Sequence, residues 1–415
     1  MRDVFSEYLD KINKSNDFPL FNLFDKTEQD NLWHSEGNVR IHTNMVMNEL
    51  LNLNDYNSLC ESEKKILIYA ALFHDYAKPI TTKTRVKNGV ERIVAPDHEI
   101  IAASLLFFTN KPNELNNHEW MSVINLVKSH DLLKKAIING CEKRFFYNSL
   151  IESDSNKLLY ILEKADVLGR TCIDKNEQID IVELFKEFCF YYSLWDKNDI
   201  EKEMKDNIVY IKEKRRDVTD TQAKIIFKKH INSIIKGVSY HIDEEISKSY
   251  NYFGKDKKSS VTILCGISGS GKTSFIKNNL DRKTKIISLD DIRLQISGHA
   301  ESQKNNNEVK RIAYNKLKEC LQNGDDCVWD ATNIRFDFRK KIIDMCEAYN
   351  GTSIIIIINN QLKNIIRFDK KRDRVVGQDV ICEQIKRFQL PLRTESDEVL
   401  IASSDNIKRG IELYI

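Results

Sequence analysis

The octapeptide Gly266-Ile267-Ser268-Gly269-Ser270-Gly271-Lys272-Thr273 reads G-x-x-x-x-G-K-T. It follows the apolar run 261–265 and opens a stretch of helical pattern. In that strand–loop–helix context the glycines turn backbone N–H groups inward around phosphate oxygens, and the helix N-terminus adds favourable dipole charge. Gly266, Ser268, Gly269, Ser270, Gly271, Lys272, Thr273 and Ser274 are therefore expected to hold ATP or another nucleoside triphosphate. Lys272 would reach the β and γ phosphates and Thr273 would hold magnesium. A glycine-rich turn that binds nothing is the bland alternative, and it leaves the strand, the Lys and the Thr unexplained. A second run ends in Ser288-Leu289-Asp290-Asp291-Ile292-Arg293 and a third in Trp329-Asp330-Ala331-Thr332-Asn333. A carboxylate such as Asp290 at the carboxyl end of a strand can accept the proton of an attacking hydroxyl. The basic run Lys370-Lys371-Arg372-Asp373-Arg374 is either a solvated face or a lid that neutralises charge on the transferred phosphoryl group.

A second constellation lies near the N-terminus. His74 follows Leu67, Ala70 and Ala71 on one helix face, and His130 follows Val123, Leu126 and Val127. Asp166 follows Leu162, and His42 leads Met45, Val46 and Leu50. Each polar group points into an apolar interior, where an unpaired carboxylate is costly, so Asp166 and Asp75 need partners. One such residue alone is an ordinary hydrogen-bonded core group. Four helices each aiming His or Asp inward are most economically read as sharing a metal site. Imidazole and carboxylate suit Mn, Fe, Co, Ni or Zn, and such a metal activates water for attack on a phosphoester. Lys78, one turn past His74-Asp75 and before Pro79, either stabilises developing charge there or is a surface lysine at a helix end.

The elements that must position these residues divide the chain. At 415 residues two or three domains are expected. Residues 1–195 show helical periodicity, with a core at 28–172, and are read as all-α. Residues 196–258 are charged, helical to about 250, and end in a linker at 251–260. Residues 259–415 alternate short apolar runs with helices, the pattern of an α/β domain with a parallel sheet. The isoleucine run 354–358 is far too short to span a bilayer and reads as a buried strand. The charged fraction of 30% and apolar fraction of 41% are those of a soluble protein. Nine scattered cysteines suit free thiols in a reducing cytosol, and no secretory leader is visible, so a cytoplasmic location with no membrane partner is expected. Residues 259–415 hold 26 Lys+Arg against 21 Asp+Glu, and the remainder 38 against 41. That mild basicity suits a phosphate-rich ligand without identifying nucleic acid.

The set G-x-x-G-x-G-K-T, D-D-x-x-R, D-A-T-N and R-x-R-x-V, spanning about 261–390, resembles the polynucleotide 5′-kinase family. The resemblance implies that Asp290 is the general base on the 5′-hydroxyl. It also implies that Arg293 contacts an acceptor phosphate, that Arg372 and Arg374 grip the donor phosphates, and that Asp330, Thr332, Asn333 and Arg339 support the acceptor site. Leu289 and Gly377 stand where relatives often carry arginine and proline. His74-Asp75 with Lys78 resembles the HD phosphohydrolase superfamily, which implies His42, His74, Asp75 and Asp166 as ligands. His98 and His130 fall where two-metal members carry additional histidines. The strings 33–43, 72–79 and 165–170 are similar to the HD module of bacterial tRNA nucleotidyltransferases, and His34 is an alternative first ligand.

The order of the two modules resembles bacterial fusions of an HD domain with a polynucleotide kinase. It implies an end-healing enzyme acting on RNA or DNA ends, with a ligase acting afterwards. The alternatives are an HD hydrolase of free nucleotides or a nucleotide messenger joined to a small-molecule kinase, and a nucleic-acid-sensing module with one degenerate head. The charged helices are open to three roles: spacing the domains, covering a nucleic-acid path, or forming a homodimer contact.

Overall fold

The structure is a computed structural model that describes residues 2–12, 17–252, 259–281, 284–297, 306–371, 375–403 and 412–413. It forms two compact units, 1–240 and 241–415. The helices Lys197–Lys214 and Asp220–Ile235, read from the sequence as part of a connector, belong to the first unit. The helix Ile242–Tyr252 belongs to the second and takes up Asn251 and Tyr252 of the expected linker. Among the described residues no helix is long and apolar enough to cross a membrane.

The first unit is helical around a core built by Val39–Asn52, Glu61–Phe73, His98–Phe107, Asn117–Ser129 and Asn156–Leu168. Their starts are chemically marked. Asn38 Oδ1 accepts from Ile41 N, Ser155 Oγ accepts from Leu158 N, and Asn116 with Glu119 forms a capping box. Eight consecutive residues, 66–73, are buried in the second of these helices, which is therefore central and apolar all round. Removing each large apolar side chain there from water contributes about 1.5–3 kcal/mol.

Two features depart from the sequence reading. Pro79 does not end the helix that carries His74. That helix stops at Phe73, the chain turns through Tyr76 N to Phe73 O and Lys78 N to Asp75 O, and Pro79 sits in the first turn of the short helix Lys78–Thr81. Proline is tolerated there because a first-turn N–H has no intrahelical partner. The second is an antiparallel hairpin, β1 (Lys83–Lys87) and β2 (Val90–Val94), within a region read as wholly helical. Its turn is Asn88-Gly89, with φ of 53° and 76°, values that asparagine and glycine adopt with least strain.

The second unit is built on a sheet of order β4-β5-β3-β6-β7-β8. Its strands are β3 (Ser260–Cys265), β4 (Lys285–Ser288), β5 (Cys327–Asp330), β6 (Thr352–Asn359), β7 (Glu398–Ser403) and β8 (Glu412–Leu413). The first five in this order run parallel, and only β8 is antiparallel. Within β6, Ile355 to Ile358 are all buried, as a strand covered on both faces requires. The carboxyl ends of β4, β5 and β3 are neighbours, so the segments 289–293, 331–333 and 266–273 emerge at one edge.

Candidate metal centre and phosphate-binding site

In the first unit the expected ligands converge. His42 sits in the first turn of Val39–Asn52, and Asp166 lies in the last turn of Asn156–Leu168. His74 and His130 follow directly on the C-terminal ends of Glu61–Phe73 and Asn117–Ser129, where the helix dipoles favour a cation. His98 opens its own helix. His42 Nε2 lies 3.0 Å from Asp166 Oδ1, 3.4 Å from His74 Nε2 and 3.7 Å from Asp75 Oδ2. His74 Nε2 is 3.2 Å from Asp75 Oδ2, and His98 Nε2 is 3.3 Å from Asp75 Oδ1. Among the described residues three groups could each hold a metal, His42/His74/Asp75 and Asp75/His98/His130, which share Asp75, and His34/Glu36/His42.

The neighbours of these residues fix their tautomers. The Nδ1 atoms of His74, His98 and His130 lie 2.7–2.8 Å from the carbonyl oxygens of Ala71, Ala95 and Val127. Donation there leaves each Nε2 free to coordinate. Burial pushes His130 down to about 3, with His98 and His74 adding to the fall, so it is neutral at pH 7. Burial alone would raise the Asp75 carboxyl. His74 and Lys78 outweigh it and hold that carboxyl well below its usual range. Asp75 Oδ2 is buried and accepts no well-aligned hydrogen bond. An anionic oxygen of that kind, at the centre of four imidazoles and a second carboxylate, fits one or two divalent transition metals.

Lys78 is buried rather than a surface lysine. Its Nζ stands 2.8 Å from Asp75 Oδ2 and 2.6 Å from Gln29 Oε1. Arg170, one turn past Asp166, pairs with its carboxylate. His34, the alternative first ligand, groups with Glu36 and His42 rather than with Asp75. Its Nδ1 is 2.8 Å from Glu36 Oε1, and the same oxygen is 2.9 Å from His42 Nδ1. Glu36 Oε2 accepts from Thr171 N at 2.9 Å. Glu36 thus ties His42 to the chain segment just past Asp166. Sequence reasoning passed over it, because a carboxylate two residues from a histidine carries no signal until its partners are placed.

Gly169 explains how the helices of His42 and Asp166 come so close. A Cβ there would lie 2.7 Å from Val46 Cγ2 and 2.8 Å from Val46 N. Gly169→Ala is therefore expected to push the two helices apart and weaken metal binding by about 10–100-fold, the scale of lost ligand orientation. Titration of the metal-free protein with Mn(II) measures it, and an unchanged affinity would refute this role.

In the second unit the loop after β3 has the form expected of a phosphate cradle. Gly269 and Gly271 take φ of 81° and 112°, which an L side chain resists. Lys272 Nζ donates to the carbonyl oxygens of Gly266 and Ile267 at 3.0 Å each. Thr273 and Ser274 are exposed in the first turn of Lys272–Asn279. Gln384, absent from the sequence reading, accepts from Ser268 N at 2.7 Å and donates to Ser268 Oγ at 3.0 Å. Asp290 is exposed and pairs with Arg293. Burial pushes the Asp330 carboxyl above its usual range, Lys272 opposes this, and Asp290 and Asp291 add to it. These four groups therefore share one field.

Thr332 and Asn333 act on the loop backbone. Thr332 O accepts from Gly266 N at 2.9 Å, and Asn333 Nδ2 donates to Leu264 O at 2.7 Å. Arg339 corrects the sequence expectation. It is 1% exposed, so it cannot reach an acceptor from its observed position. Its guanidinium pairs with both oxygens of Glu395, at 2.6 and 3.0 Å, and donates to Asn333 O at 2.8 Å. It positions the D-A-T-N loop. Arg339→Ala would leave Glu395 buried and uncompensated, at an expected cost of about 3–5 kcal/mol in denaturant unfolding of the full chain. A loss below about 1 kcal/mol would reject that account. Arg372 and Arg374 lie outside the described residues. The segment that contains them is bracketed by Asp369, whose carboxylate accepts from Val376 N and Gly377 N at 2.9–3.1 Å.

Comparison with known families agrees with this geometry. The model of the HD domain matches residues 39–171 and that of the AAA domain residues 261–391. The chain therefore joins an HD phosphohydrolase domain, of a kind that binds divalent metals, to a P-loop kinase-like domain, of a kind that binds a nucleoside triphosphate with magnesium.

Proposed function

We propose that the protein heals nucleic-acid ends, RNA foremost. The second unit phosphorylates a 5′-hydroxyl, and the first removes a 3′-phosphate or 2′,3′-cyclic phosphate. The observation that carries this reading is the presence in one chain of a buried His/Asp cluster able to hold two metals and a phosphate cradle flanked by an exposed carboxylate, Asp290. Ribonucleolytic breaks commonly leave a cyclic phosphate and a 5′-hydroxyl, and a ligase needs the reverse. The two chemistries are the two halves of that conversion.

In the kinase half, Asp290 accepts the proton of the attacking hydroxyl while its oxygen bonds to the γ-phosphorus and the bond to the β-phosphate oxygen breaks. Lys272 offsets the charge that accumulates on the leaving diphosphate. Arg293, held by Asp290, is placed to meet the phosphate next to the acceptor hydroxyl. In the hydrolase half, His42, His74, Asp75, His98, His130 and Asp166 would hold divalent metal, which supplies Lewis-acid activation of water and phosphate when bound. Lys78 holds a positive charge against Asp75 and can stabilise a non-bridging phosphate oxygen.

The test is a pair of end-group assays on the full chain across Mn, Co, Ni, Zn and Mg. One uses an oligonucleotide ending in a 2′,3′-cyclic phosphate, the other a 5′-hydroxyl oligonucleotide with γ-labelled ATP. Both ends are expected to be converted, RNA at least as well as DNA. Turnover of mononucleotides with no turnover of either oligonucleotide would replace this reading with one on free nucleotides.

A further inference from the structure

The hairpin β1–β2 buries little and carries a charge pattern that the fold does not need. All of β1 is exposed. Alternate strand residues share a face, and the register sets Lys83 opposite Val94, Arg85 opposite Arg92 and Lys87 opposite Val90. One face therefore carries Lys83, Arg85, Lys87 and Arg92 and no acid. The hairpin's acidic residue, Glu91, is opposite Val86 on the other face. Like charges placed directly opposite destabilise a ladder, so the Arg85–Arg92 pair costs stability unless an anion lies across it. Arg92 is steadied by Asp30 at 3.3 Å and by the Trp33 ring at 5.7 Å. Among the described residues, no hydrogen bond or ion pair holds Lys83, Arg85 or Lys87.

The position of the ribbon matters as much as its charge. Its feet stand on the metal centre. Lys78 precedes β1 by five residues, His98 follows β2 by four, and Asp75 and His98 are 3.3 Å apart. Ile93 N donates to Asp30 Oδ2 at 3.0 Å, and the adjacent Gln29 holds Lys78 at 2.6 Å. One short loop therefore fixes both the root of the ribbon and a candidate catalytic lysine. At the root lies a groove of about 320 Å³ whose lining carries two lysines, Lys26 and Lys83, and one acid, Glu28.

We propose that this ribbon binds the phosphate backbone of a polynucleotide strand whose 3′ end lies at the metal centre. The proposal rests on the end-healing reading and narrows it, because it makes the hydrolase act on strands in preference to free nucleotides. Same-face residues on a strand stand about 6.6–6.8 Å apart, and five residues span about 17 Å. Lys83, Arg85 and Lys87 thus form a row of cations whose repeat is close to that of successive phosphates in an extended single strand. A mononucleotide has no backbone to lie along such a row.

The experiment compares the wild-type full chain with the triple variant Lys83→Ala/Arg85→Ala/Lys87→Ala, using a 3′-terminal cyclic-phosphate oligonucleotide and a 2′,3′-cyclic mononucleotide. Loss of three phosphate contacts is expected to lower kcat/KM on the oligonucleotide by about 10²-fold near 50 mM salt, through KM. The slope of log(kcat/KM) against log[salt] should flatten by about 2. Hydrolysis of the mononucleotide and the thermal midpoint should not move. Equal losses on both substrates, or an unchanged oligonucleotide KM and salt slope, would overturn the proposal while leaving the end-healing reading in place. Loss of binding to phosphatidylserine vesicles with unchanged oligonucleotide kinetics would overturn it in favour of a membrane surface. A wild type that hydrolyses neither of these substrates nor a 3′-phosphate oligonucleotide removes the hydrolase half of the end-healing reading and this proposal together.

Discussion

Asp75→Asn is expected to reduce phosphoester hydrolysis by the first unit about 10³-fold or more and to leave 5′-hydroxyl phosphorylation unchanged. Loss of a metal's charge stabilisation is worth several kcal/mol, and each 1.36 kcal/mol is a factor of ten. Asp75 joins the group His42/His74/Asp75 to the group Asp75/His98/His130. Oδ2 faces His74, His42 and Lys78, and Oδ1 faces His98. Asparagine keeps the shape and removes the charge, so four imidazoles and a lysine lose the anion that balances them. Metal content measured by mass spectrometry should fall with activity. Chelation of the wild type should reproduce the loss, and added Mn(II) should restore the wild type but not the variant. A variant that keeps hydrolysis within about tenfold of wild type, with its metal retained, would show that Asp75 does not hold the centre.

Most of that centre was legible before any coordinates. His74 and His130 follow apolar residues at helical spacing and His42 leads such a set, and helical periodicity converts directly into the direction a side chain points; His98 entered only through the family resemblance. The strands β3 to β6 were legible as short apolar runs alternating with helical stretches, even β4 at the edge of the sheet. The misses share a different origin. Hairpin β1–β2 mixes Val or Ile with charged residues on both faces and lacks the apolar alternation that marks a strand. Only Asn88-Gly89 signalled it, and a turn dipeptide alone is weak against helical surroundings. Arg339 was assigned to the acceptor site through the kinase resemblance alone; its partner, Glu395, is 56 positions away, and nothing in a linear string shows that a charge is already satisfied. Glu36 and Gln384 were invisible because neither belongs to a motif, and each acts through a contact at long sequence separation, Glu36 with Thr171 and Gln384 with Ser268. Lys78 was ambiguous because a lysine near a helix end is usually solvated. Its burial depends on Gln29 and Asp75 closing over it.

Lys272→Ala should lower kcat for 5′-hydroxyl phosphorylation by about 10²–10³-fold, the usual cost of deleting one fixed group that meets developing charge. The hydrolase activity should be untouched. Lys272 starts the helix Lys272–Asn279, so its backbone lies at the phosphate cradle whatever its side chain does. Alanine is compatible with that helix start and with the positive φ of Gly269 and Gly271, and it deletes the ammonium together with its bonds to Gly266 O and Ile267 O. That ammonium lies close enough to Asp330 to lower its carboxyl pKa against burial, which places it over the same strand ends as Asp290 and Asp291. Removing it deprives the donor phosphates of a cation and leaves the acidic groups unopposed, so nucleotide affinity should fall along with kcat. Lys272→Arg separates the two effects. It restores charge without the compact geometry of an ammonium, so binding should recover further than turnover. If instead Lys272→Ala phosphorylates 5′ ends at the wild-type rate, the cradle after β3 is not where the phosphoryl group is transferred, and Asp290 loses its assigned role as base.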